Sequence, residues 1–155
     1  MLKRGGYNMT WYANSAGRYG LSGAKGDAGE KLVESFCKKN NLEWEDMNDY
    51  KSQVIDKIDC IIEGVLVDVK TNMYMDRLCV ELYLNNGKKV GPGWLYTTKA
   101  EQIYGVDLAQ KRIYSYNVSD MVSYVEQNRR RSKLTKNNDE VIWVHKNENF
   151  ITELT

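Results

Sequence analysis

Apolar and polar positions alternate with different periods along the chain, and each change of period marks a different element. Between Gly26 and Asn40 the apolar residues Leu32, Val33, Phe36 and Cys37 recur at helical spacing. This predicts an amphipathic helix with Asp27 and Glu30 near its positive amino end. From Lys57 to Thr71 β-branched residues flank Glu63-Gly64 on both sides, which predicts two strands joined by a tight hairpin turn. Cys79 to Leu84 reads as a third strand ended by Asn85-Asn86-Gly87, and Gly91-Pro92-Gly93 breaks the chain before Trp94-Leu95-Tyr96. Gln102 to Val106 and Lys111 to Tyr116 read as two more strands, with a short helix over 98–104 as the alternative for the first. Ser119 suits the N-cap of a last helix whose Met121, Val122 and Val125 face inward and which ends in Arg129-Arg130-Arg131-Ser132-Lys133. Residues 1–25 carry glycines among aromatic and basic side chains with little apolar period, and read as a flexible arm. Residues 26–155 then form a single α/β domain.

The hairpin sets chemistry in register. With Glu63 and Gly64 as the turn residues, Asp59 falls across from Asp68 and Ile61 across from Leu66. Lys70, two residues past Asp68, shares its face because side chains alternate along a strand. The other face receives Ile58, Cys60, Ile62, Val65, Val67 and Val69, all apolar. Like charges placed opposite one another destabilise a sheet by a few tenths to about 1 kcal/mol, so a merely structural hairpin has little reason to keep them. A divalent cation removes the conflict, since magnesium takes a few carboxylate oxygens and keeps several waters. Lys70 beside it would orient or deprotonate water and offset developing charge. The bland alternative is a solvated, salt-bridged hairpin face.

Composition adds mainly exclusions. A chain of 155 residues fits one domain. No stretch approaches the ~18 consecutive apolar residues of a membrane span, and no export signal opens the chain, so a cytoplasmic protein without a membrane partner is expected. Cys37, Cys60 and Cys79 lie in apolar segments without paired spacing, as reduced core thiols would. The lone histidine, His145, leaves no zinc set, and no Walker-type phosphate loop is present. A net charge of +1 means that any DNA contact must come from local clusters. Arg18 and Lys25 in the arm, Lys99 after Thr97-Thr98, and the run Arg129, Arg130 and Arg131 are the candidates. For the run, the ordinary preference of cations for helix carboxyl ends is an equal explanation.

Ile58-Asp59 on one strand and Asp68-Val69-Lys70 on the next resemble the PD-(D/E)XK nuclease superfamily, over about residues 24–117. The resemblance implies a restriction-endonuclease-like α/β core, a mixed central sheet flanked by helices. It also implies Asp59 and Asp68 as metal ligands and Lys70 as the catalytic lysine. The proline of the family name is absent, since Ile58 precedes Asp59. Many members place a glutamate after glycine on the first helix. Gly29-Glu30 fits, making Glu30 the fourth catalytic and metal-binding candidate; Glu81, sharing the alternation of Cys79 and Tyr83, is either a further carboxylate near the metal or a solvent-facing strand acid. The activity implied is Mg2+- or Mn2+-dependent hydrolysis of DNA phosphodiesters. Length and order are most similar to small Holliday junction resolvases and phage- or intron-encoded homing endonucleases, acting in the host cytoplasm if phage-encoded. A homodimer would cut both strands with one site per chain, its interface drawn from Trp94, Tyr96 and Trp143. The rival class is a non-catalytic nucleic-acid-binding or protein-binding module on the same fold.

Overall fold

The computed structural model describes residues 18–155, with side chains described from residue 24 onward. The fold is mixed α/β, with a mixed central sheet flanked by helices. Helix α1 (Arg18–Lys39) is followed by β1 (Trp44–Asp46), a π-helical turn (Lys51–Asp56), and the hairpin β2 (Cys60–Ile62) and β3 (Val65–Lys70). Then come β4 (Met73–Tyr74), β5 (Arg77–Asn85), β6 (Val90–Pro92), the short helix α2 (Trp94–Thr97), β7 (Gln102–Asp107) and β8 (Arg112–Asn117). Helix α3 (Val118–Asn128), a 3-10 turn (Arg129–Arg131), β9 (Lys133–Leu134), β10 (Glu140–His145) and β11 (Thr152–Glu153) complete it.

Two sheets are stacked. The larger has the order β1-β2-β3-β7-β8-β11, with β3 and β7 parallel and its other pairs antiparallel. The smaller runs β4-β5-β10-β9, with β6 on the other end of β5. One face of the larger sheet packs on α1 through Val33, Cys37, Cys60, Ile62, Val67, Val69 and Val106. The other face meets the smaller sheet and α3 through Ile103, Leu78, Val80, Leu82, Ile142, Val144, Met121 and Val125. Each fully buried aliphatic residue here contributes roughly 1.5–3 kcal/mol, so both faces of the larger sheet are stabilised by apolar layers.

The hairpin register is the one expected: Cys60 pairs with Val67, Ile61 with Leu66, and Ile62 with Val65. Glu63 (φ 50°) and Gly64 (φ 78°) are both left-handed, the geometry of a type I′ turn.

Several expectations are corrected. The first helix begins at Arg18 rather than near Gly26, so residues 18–25 belong to α1 and only the remainder of the proposed arm lies outside the described residues. The third strand is present as β5 and pairs with β10, β4 and β6 in the smaller sheet. Residues 102–107 are a strand, which settles the alternative of a helix over 98–104. Asn117, not Ser119, is the N-cap of α3, although Met121 and Val125 are buried as expected. Ile58 joins the core between the two sheets rather than the α1 side, because Lys57 takes a left-handed conformation (φ 56°) just before it. Cys37, Cys60 and Cys79 are free thiols.

Candidate active site

Asp59 is delivered by a latched segment. Asp49 accepts from the amide and the hydroxyl of Ser52 at 2.9 and 2.7 Å and so ties down the π-helical turn. At the turn's other end Asp56 pairs with Lys51 (2.7 Å) and Lys99 (3.0 Å), and Thr98 donates its hydroxyl to the Lys57 carbonyl at 3.0 Å. Asp59 then enters the hairpin. Its amide donates to the Val67 carbonyl at 2.9 Å, and its Oδ2 accepts from the Val69 amide at 2.8 Å. That second bond fixes the carboxylate beside the backbone of β3.

The register thus brings Asp59 and Asp68 onto one face of the hairpin, near enough that Asp59 acts on the Asp68 carboxyl. Asp68 is 2% exposed. Lys70 Nζ lies 3.0 Å from Asp68 Oδ2 and 5.2 Å from the centre of the Trp94 ring. A quarter of the Lys70 side chain remains open to solvent, so the lysine forms the mouth of the site. The bland picture of a solvated hairpin face does not hold: the acids are sealed between the two sheets.

Burial pushes the Asp68 carboxyl up, to about 8, with Lys70 opposing and the neighbouring Asp59 reinforcing. At Lys70 burial works against the ammonium, but Asp68 and Asp59 outweigh it and raise the lysine above its ordinary value. Without a cation burial thus favours the protonated Asp68 carboxyl while Lys70 keeps its ammonium. Burial, with a contribution from Asp68, lifts the Tyr116 phenol well above its usual range. Burial raises Glu81 and Lys70 draws it back down, while burial and the charges of Lys70 and Lys89 lower Lys57.

The donor chemistry fits a hard divalent cation. Among the described residues no three acid, histidine or cysteine side chains converge on one point. Magnesium, however, is commonly held by one or two carboxylates plus waters and substrate phosphate, and Asp59 with Asp68 supplies that pair. Glu30 follows Gly29, which lies against Thr71 just past Lys70. It is half-buried at the carboxyl end of β3 but does not join the two aspartates in a three-acid cluster.

The basic candidates divide. Arg129 is held by Glu140 through bonds of 2.6 and 3.1 Å, and Lys99 by Asp56. Lys25, Arg130 and Arg131 are exposed. Arg18 opens α1, and its side chain lies outside the described ones. Trp94, expected at a surface, is buried beneath Lys70. It reaches that place because Gly93 lies so close to the Glu81 carbonyl that no Cβ fits there. Tyr96 donates to Glu126 at 2.7 Å, and Trp143 stays 41% exposed. His145 stands apart from the site, its Nδ1 accepting from the Asn147 amide.

Three neighbours of the site escaped the sequence reading. Lys57 had a usable signal, being two residues before Asp59. Trp94 and Tyr116 had none, since their places depend on how α2 and β8 pack.

No family model matches the chain, and no curated protein matches it. Among solved structures the chain is similar to a bacterial homing endonuclease, with a TM-score of 0.46 and 14% sequence identity over 81% of this chain and 75% of that one. No helix among the described residues is long and apolar enough to cross a membrane.

Proposed function

We propose that this chain is a metal-dependent DNA endonuclease with a site of the PD-(D/E)XK type. The observation that carries the reading is the sealed trio of Asp59, Asp68 and Lys70, held in register by the hairpin with the ammonium 3.0 Å from Asp68. Two buried carboxylates side by side, one kept protonated by burial, form an arrangement that costs stability and gains purpose from a bound cation. Asp59 and Asp68 would hold Mg2+ or Mn2+, the remaining positions going to water and substrate phosphate; Glu30, outside this pair, is not among the ligands. When bound, the ion would supply Lewis-acid polarisation of the scissile phosphate and a more acidic water. Lys70, too basic to give up its proton readily, orients water and offsets charge on the phosphate. Trp94 and Asp68 both lie against its ammonium. The finer alternatives are a homing endonuclease and a Holliday junction resolvase.

Plasmid, single-strand, junction and flap substrates incubated with Mg2+, with Mn2+ and with excess chelator test the reading. Cleavage of DNA is expected with either ion and none in chelator. Equal cutting in chelator would overturn it. The working form is expected to be a two-fold dimer, because one site per chain cuts one strand. Sedimentation showing only monomer at micromolar concentration, with and without DNA, counts against that.

A further inference from the structure

The outer side of the smaller sheet carries a groove of about 350 Å3 that the hydrolytic site does not use. Arg77 of β5, Arg131 and Lys133 line it together with Trp143 of β10, and Tyr124 and His145 complete its walls. Glu148 is its one acid. Trp143 stands on β10, between β5 and β9, and is 41% exposed within this cationic frame.

The charges here differ in kind from their neighbours. Arg129, Lys146 and Lys99 are each consumed by an acid of the chain itself, Glu140, Asp76 and Asp56 respectively. Arg77, Arg131 and Lys133 have no acidic partner among the described residues, and Arg131 meets only the Tyr124 hydroxyl at 3.5 Å. Cations left unneutralised by the protein are the ones available to phosphate. An exposed indole among them offers a face for a base, and a base can use that face only when it is unpaired.

We propose that this groove binds a segment of single-stranded DNA, with a base stacked on Trp143 and the adjoining phosphates held by Arg77, Arg131 and Lys133. The choice of DNA rests on the nuclease reading; the binding chemistry does not. A grip on an unpaired strand suits a flap or an opened junction better than intact duplex.

The test measures anisotropy of fluorescein-labelled DNA single strand, RNA single strand and duplex of equal length, in chelator so that nothing is cut. Trp143→Leu is expected to weaken single-strand DNA binding by about tenfold and duplex binding by less than about twofold, with an unchanged salt slope. Trp143→Phe keeps a stacking face and should restore most of the loss. Arg131→Ala and Lys133→Ala should weaken both forms and each reduce the salt slope by about one. Thermal melts followed by circular dichroism confirm that each variant is folded. Unchanged single-strand binding by folded Trp143→Leu overturns the proposal. So does tighter binding of RNA than of DNA, or a loss of dimer in sedimentation without any loss of DNA affinity, which would give the groove to a second copy of the chain. Because no cleavage is measured, failure here leaves the hydrolytic reading standing. Conversely, a chain that binds strands as described but never cuts keeps the groove and loses the nuclease.

Discussion

Lys70→Ala is expected to slow DNA cleavage by about 10²–10⁴-fold under Mg2+ while leaving the affinity for uncut DNA in chelator unchanged. The lysine is not a metal ligand, so the ion's two carboxylates survive the substitution. What disappears is the ammonium 3.0 Å from Asp68 at the mouth of the site, the group proposed to act on water and phosphate. A structural cost comes with it. Removing one partner of a buried ion pair typically costs about 3–5 kcal/mol, although Asp68 escapes part of this by keeping its proton. Lys70→Met separates the two effects, since an unbranched apolar chain fills much of the same space beside Trp94 without the charge. Both variants should show the same loss in single-turnover cleavage, with Lys70→Met melting closer to the parent. If both cut at the parental rate while folded, the assignment of Lys70 is wrong and the non-catalytic binding module takes its place.

Some of this site was legible in the sequence because it depends on local rules. A two-residue turn fixes hairpin register, so Glu63-Gly64 alone aligned Cys60 with Val67 and carried Asp59 to Asp68. Alternation then put Lys70 on the face of Asp68. The covering of that face was not legible, because Leu78, Val80 and Leu82 can pack on any apolar surface and their strand's partners lie far away in the chain. Only the folded chain, with Asp59 9% and Asp68 2% exposed, shows that the acids are buried rather than washed by solvent. The same holds for the basic residues: nothing near Arg129 or Lys99 in sequence announces Glu140 or Asp56 as partners. Helix α1 begins earlier than its apolar pattern because Gly20 and Gly23 weaken the local signal. Asn117 and Ser119 are both good caps two residues apart, a choice that propensity does not resolve.

Asp68→Asn is expected to stabilise the metal-free chain at pH 8 and to abolish its cleavage under Mg2+. Asp68 faces Asp59 across the hairpin and Lys70 along its own strand. Tyr116 of β8 adds a buried phenol, while Glu81 and Lys57 act from farther off. Burial leads these influences and raises the carboxyl to about 8, against about 3.9 for an aspartate in the unfolded chain. The folded state therefore holds this proton more tightly than the unfolded state does. An acid raised on folding contributes stability that is complete below its unfolded value and is lost as pH climbs through the folded one. For Asp68 the window runs from about pH 4 to about pH 8. Across it the parent in chelator should lose stability on the order of 5 kcal/mol, equivalent to roughly 10–20 °C in melting temperature for a chain of this size. An asparagine carries no charge across that window, so its curve should be flatter and cross above the parent's before pH 8. Saturating Mg2+ should stabilise the parent at pH 8 and leave Asp68→Asn almost unmoved, because the substitution removes a ligand as well as a charge. Parallel pH curves for parent and variant in chelator would mean that Asp68 is not the strained carboxyl. Equal stabilisation of both by Mg2+ would mean that it is not a ligand.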